Sequence, residues 1–200
     1  MSPTVPISPK IRELFNALDF EVTWLHTIWE LYNQLYGTLD ENYEIMNSSA
    51  PIFFFITQNV LFDEFVLILC RLTDKASTFG YKNASFEQLV NLIDDDKYPD
   101  LGKSLRSKLN SITTTYKSYH IMRDKIVAHN DLLLSLGKGV NKLPEITKLE
   151  AEAAIKDIAD FMNEFSENVL DTTAVYKPFL TGYGDGNALI QALKRENDIL

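Results

Sequence analysis

The segment from Pro51 to Leu72, PIFFFITQNVLFDEFVLILCRL, is apolar on nearly every side if it is drawn as a helix. Such a helix is stable only where several neighbours wrap it or where it lies in a bilayer. Gln58, Asn59, Asp63, Glu64 and Arg71 interrupt the run, and one Asp at mid-membrane costs about 2.5 to 3.5 kcal/mol. The segment therefore reads as a buried core helix, with no membrane association. The remaining chain must then supply the helices that cover it.

It has the pattern to do so. From Pro9 to Tyr36, Ile11, Leu14, Phe15, Leu18, Val22, Leu25, Ile28, Trp29 and Tyr32 recur at intervals of three and four, and Gly37 is a stop. Ser48 or Ser49 can cap the core helix, with Pro51 in its first turn where a missing N–H does no harm. Ser85 and Gln88 form a capping box for a short helix to about Ile93. Pro99 opens a long helical region to about Leu134, with a kink expected among the β-branched Ile112 to Thr115. Thr147 and Glu150 are a second capping box, for a helix to about Val175, and a last helix runs from about Asn187 to Glu196. No stretch alternates as a strand. The expected fold is all-α, a bundle of four to five main helices plus a short helix in a single domain, 1–200.

Several chemistries are excluded. Cys70 is the only cysteine, so no internal disulfide and no cysteine-based metal site can form, which suits a reducing, cytoplasmic setting. The start, MSPTVPISPK, lacks the basic and apolar regions of a signal peptide. Asp94, Asp95 and Asp96 are adjacent, so they point apart and read as a solvated turn. The glycines of TGYGDGN are not followed by the Lys-Ser/Thr of a phosphate loop. Neither metal nor cofactor is expected.

Chemistry concentrates in Ile121 to Leu134, IMRDKIVAHNDLLL. At about 100° per residue, Arg123 falls in the middle of an apolar arc made by Leu105, Leu109, Ile112, Tyr116, Tyr119, Ile126 and Val127. An arginine there needs a buried acid, a subunit interface or a ligand. Asp63 is the first choice among internal carboxylates. His129 falls near the edge of the same arc, whereas His26 reads as structural and His120 as a surface residue off the Arg123 face. The net charge of −9 argues against indiscriminate nucleic-acid binding. Yet Lys103, Arg106, Lys108, Lys117, Arg123 and Lys125 face only Asp124 between Leu101 and Asn130, a basic helix on an acidic body. It can guide an RNA strand or dock on acidic helices of its own fold.

The run RDKIVAHND resembles the signature of the HEPN superfamily, whose ribonuclease members carry Arg, a polar residue and a His four to six positions after the Arg. The upstream LTDKASTFGYKNASFEQLV, Leu72 to Val90, is similar to the AbiU-like branch associated with abortive phage infection. The resemblance implies a metal-independent endoribonuclease acting as a toxin or antiviral defence effector, in which the ribose 2′-OH attacks its own phosphodiester. Arg123 would stabilise the phosphoryl charge, His129 would transfer a proton, and Asp124 would orient them, at a position where many relatives carry Asn. Lys125, Asn130 and Lys117 would contact RNA. A homodimer with the site at its cleft is implied, as is a neutralising antitoxin protein, and the apolar face around Arg123 predicts Tyr116, Tyr119, Arg123 and Val127 at the interface. The alternative is a non-catalytic dimeric module of the same fold that binds nucleotide, RNA or a protein partner.

Overall fold

The computed structural model describes residues 8–37, 40–94, 97–128, 131–136, 143–176 and 184–197. Its elements are α1 (Pro9–Tyr36), α2 (Asp40–Ser49), α3 (Pro51–Thr73), a hairpin of β1 (Ser77–Thr78) and β2 (Tyr81–Lys82), α4 (Phe86–Val90), α5 (Pro99–Thr115), α6 (Lys117–Met122), a π turn (Arg123–Val127), α7 (Leu132–Ser135), α8 (Lys148–Val169) and α9 (Gly186–Asn197). The fold is all-α, as the periodicity predicts. Two of the expected caps form: the Ser85 hydroxyl accepts from Gln88 N, and Thr147 and Glu150 make the complete reciprocal box; Ser48 and Ser49 instead end α2, where the Ser48 hydroxyl donates to the Ile45 carbonyl at 3.0 Å.

The chain divides into two compact units, Met1–Val22 with Val66–Tyr176, and Thr23–Phe65 with Lys177–Leu200. In the first, α5 packs on α8 and α4 on α5. Its core holds Leu18, Phe65's neighbour Val66, Leu69, Leu72, Leu89, Leu105, Tyr119, Ile158 and Met162. Phe86 stacks on Phe161 with ring centroids 4.2 Å apart, and Phe15 on Phe165 at 5.5 Å. Between α5 and α8, Lys108 pairs with Glu164, so this cation of the basic segment serves the fold.

In the second unit α2 packs on α9, Trp29 lies against Phe65 at 4.8 Å, and the Tyr36 hydroxyl donates to the Phe54 carbonyl at 3.0 Å. The first turn of α9 approaches α1 closely: Gly186 N donates to Gln34 Oε1 at 2.9 Å. A Cβ at Gly186 would meet Gln34 Cβ and Leu35 Cγ at 3.0 Å, so a side chain there would push the two helices apart. α2 has no strong apolar period. Its anchor is Met46, 1% exposed, together with the Lys194–Glu41 ion pair at 2.8 Å.

The core helix differs from expectation along its length. Val66, Ile68, Leu69, Cys70 and Leu72 are fully buried, but Ile52, Phe53, Phe55, Ile56 and Val60 are more than half exposed. At about 100° per residue these five share one broad arc, opposite the buried Phe54 and Leu61. By length and composition α3 could cross a membrane. The hairpin is a second departure. Phe79 (φ 49°) and Gly80 (φ 84°) give both turn residues the positive φ that a tight right-twisted hairpin requires. Glycine adopts that conformation freely, whereas a bulky residue such as Phe79 is strained there.

Candidate functional site

The long helical region breaks where the sequence becomes β-branched. Thr113 turns its hydroxyl back onto the carbonyls of Leu109 (3.0 Å) and Asn110 (3.1 Å), a contact that bends helices. Three residues later Tyr116 leaves helical geometry, at φ −99° and ψ 26°. The Tyr116 ring is buried and its hydroxyl donates to Asp157 at 2.6 Å. A new helix, α6, then starts and widens into the π turn, closed by Ala128 N donating to the Arg123 carbonyl at 2.8 Å. Isolated π turns are rare and concentrate at functional sites.

This turn carries Arg123, Asp124 and Lys125. The guanidinium is well engaged: Nη1 donates to both oxygens of Asp74, at 2.7 and 3.0 Å, and Nε donates to Asp124 Oδ1 at 2.9 Å. Its side chain is only 22% exposed, against 30% for Asp74 and 61% for Asp124. Burial alone would lower the Arg123 pKa, but hydrogen bonds to Asp74 and then Asp124 outweigh it and hold the group above its ordinary value. The acid that accounts for an arginine on an apolar arc is thus Asp74, not the expected Asp63. Asp74 lies immediately beyond the C-terminus of α3, in the upstream stretch LTDKAS.

The same corner holds His120, which belongs to the site and not to the open surface. Arg123 is three positions further along, on the adjacent helical row. Nδ1 of His120 lies 3.8 Å from Asp74 Oδ1, and Nε2 lies 2.9 Å from the Thr73 hydroxyl. Burial lowers the His120 pKa, and the Arg123 charge lowers it further, against opposing effects of Asp74 and Asp124. Thr73, Asp74 and His120 line one wall of a cleft of about 460 Å³, whose other walls include Glu87, Arg106 and Asn110. Glu87 is fixed there by Lys75 and by the backbone N–H of Ala76.

Of the residues the sequence points to, Arg123 and Asp124 are brought into contact, Lys125 is half-buried on the same turn, and Lys117 is exposed at the start of α6. His129 and Asn130 lie outside the described residues, as do Asp95 and Asp96. Tyr116 and Tyr119 are 5% and 0% exposed. They are core residues and cannot form the expected subunit interface. His26 is half-buried, and desolvation lowers its pKa to about 4. Burial pushes the Cys70 thiol up to about 12, against a lowering by Arg123, so it is not a nucleophile at neutral pH. Among the described residues no group of three His, Cys, Asp or Glu side chains is placed to hold a metal ion.

A model of the family HEPN_AbiU2, described as AbiU2, matches residues 8–188. No curated protein matches, and no solved structure does.

Proposed function

The chain belongs to the AbiU2 family of HEPN domains, and on that premise we propose that it is a metal-independent endoribonuclease acting as a toxin or phage-defence effector in the cytoplasm. The observation that carries this reading is the π turn, which sets a guanidinium and a carboxylate of the RDKIVAH run in one corner with Asp74 and a half-buried imidazole, both of which line a cleft.

RNA carries its own nucleophile. Cleavage needs a group that moves protons and a cation for the charge that builds on the phosphoryl oxygens. Arg123 suits the second role because its planar fork matches phosphate oxygens. His129 supplies proton transfer, Asp124 orients the guanidinium through its bond to Nε, and Lys117, Lys125 and Asn130 hold the strand. To reach a phosphate, Arg123 exchanges its Asp74 contact for the RNA. A second copy of the chain completes the cleft, and exposed Ile126 within the motif, with Ile121, Leu132 and Leu136 on either side of it, suits such an apposition. A neutralising antitoxin protein is part of the same reading. The buried C-terminal half of α3 and its Arg71–Glu21 ion pair (2.9 Å) favour a core helix over a membrane span.

The double contact of Arg123 Nη1 on Asp74 favours one other reading, a non-catalytic module in which the pair is structural. The deciding experiment incubates purified protein with single-stranded and loop RNA in excess EDTA. Products with 2′,3′-cyclic phosphate ends, lost in Arg123→Ala and His129→Ala, are expected. Intact RNA, with both variants equal to wild type in toxicity, would replace the ribonuclease with the binding module.

A further inference from the structure

Cleavage by 2′-OH attack moves two protons, one off the nucleophile and one onto the leaving 5′-oxygen. The RDKIVAH run supplies one imidazole from each chain of the proposed dimer. The cleft supplies another, His120, whose protonation state follows from its neighbours.

The Thr73 hydroxyl has one proton. It lies 2.8 Å from the Leu69 carbonyl and 3.4 Å from that of Cys70, both of which can only accept. With its proton given to Leu69, the shorter of the hydroxyl's contacts, the oxygen accepts from His120, an arrangement in which the ring carries hydrogen on Nε2. In the neutral ring Nδ1 then bears a lone pair. That nitrogen lies 3.8 Å from the Asp74 carboxylate, where a proton arriving on Nδ1 would be stabilised by an opposite charge.

The surroundings favour the neutral ring at rest. Charged groups meet His120 from every side of the corner: Asp74 beyond α3, Arg123 and Asp124 on the π turn, and Lys75, Glu87 and Arg106 around the cleft. Arg123 is the cation that most directly opposes protonation, and Asp74 holds it in place. When Arg123 turns from Asp74 to a phosphate, the carboxylate loses its guanidinium partner and is left facing the imidazole. The same exchange that prepares charge stabilisation therefore prepares Nδ1 to accept a proton.

We propose that His120 is a second catalytic residue, the general base that takes the 2′-OH proton on Nδ1, with Thr73 as its positioning residue and Asp74 as the counter-charge of the imidazolium formed. The proposal rests on the ribonuclease reading above. The 2′-O–H bond breaks as O2′ bonds to phosphorus, the proton goes to His120, the P–O5′ bond breaks, and the leaving oxygen takes a proton from His129. No oxidant, metal or further reactant takes part.

His120→Gln tests it, because a glutamine amide can still donate toward Thr73 while the titrating nitrogen is gone. Single-turnover cleavage of a short single-stranded RNA is measured from pH 5 to 9 for wild type, His120→Gln and His129→Ala, with RNA binding followed separately by anisotropy. His120→Gln should slow cleavage by about 10² to 10⁴, leave binding within a few-fold, and abolish the acid limb of the profile. His129→Ala should abolish the alkaline limb. The ¹⁵N signals of the wild-type ring should report hydrogen on Nε2 at neutral pH. An Nδ1–H tautomer, or cutting by wild type that His120→Gln neither slows nor reshapes with pH, overturns the assignment alone. Wild-type protein that cuts no RNA removes the ribonuclease reading and this assignment together.

Discussion

Breaking the Arg123–Asp74 pair is the sharpest probe of the site, because its strength decides how readily Arg123 can serve a phosphate. Hydrogen bonds to charged groups contribute about 1.5 to 3 kcal/mol when shielded, and exposed ion pairs about 0.2 to 1. With side chains 22% and 30% exposed and N–O distances of 2.7 and 3.0 Å, the coupling should lie between those ranges, at about 1 to 1.5 kcal/mol. Arg123→Ala should be the more damaging single change, since it strands Asp74 with only the imidazole 3.8 Å away. Asp74→Ala leaves Arg123 its bond to Asp124. For a chain of this size about 1 kcal/mol moves Tm by roughly 2 to 4 °C. Urea and thermal unfolding of wild type, both singles and the double variant close the cycle. A coupling below about 0.3 kcal/mol, the level at which independent sites simply add, would refute the contact. If the cycle gives the expected value, Asp74→Asn should tighten RNA binding by up to about tenfold, since about 1.4 kcal/mol is a factor of ten.

The joint change Lys117→Glu and Lys125→Glu should weaken RNA binding and reduce its salt dependence by about one for each lost phosphate contact, as read by filter binding at several salt concentrations; an unchanged slope would place the strand elsewhere. Phe79→Asn should raise stability by about 0.5 to 1 kcal/mol in urea unfolding, because the ring is 98% exposed and its φ of 49° suits an Asn-Gly turn; a loss would show that the ring makes contacts in solution. His26 has a folded-state pKa of about 4 against its ordinary 6.5, so the unfolded chain binds the proton first as pH falls. Its contribution is complete above pH 6.5 and is lost toward pH 4, by at most about 3 kcal/mol, and His26→Gln should flatten that part of the stability profile. Ile126→Asp, at an exposed apolar position beside Arg123, should turn a dimer into a monomer by light scattering, and a dimer that persists would move the interface away from the motif.

Helix formation was largely legible in the chain because it depends on local terms. Apolar spacing placed α1, α3, α5 and α8, and two capping boxes marked the starts of α4 and α8 to the residue. α2 was not legible. Ten residues rich in Asn, Ser and acids have little intrinsic helix bias, and packing against α9 supports them. The exposed arc of α3 was equally hidden, since a helix apolar on every side does not say which of its sides finds a neighbour.

For the site, the sequence alone determined that Arg123 needed a partner and that the RDKIVAH run was the place to look, because a guanidinium cannot sit unpaired on an apolar face. Tertiary structure chose the partner. Asp74 is 49 positions away from Arg123, and its separation in space depends on where α3 ends and how α6 is aimed. His120 shares that dependence: on an unbroken helix it reads as surface, whereas the break at Tyr116 and the π turn beyond it set its ring against Thr73 and Asp74. Local periodicity carries no information about the direction a chain takes after a helix breaks, and that direction joined these side chains into one site.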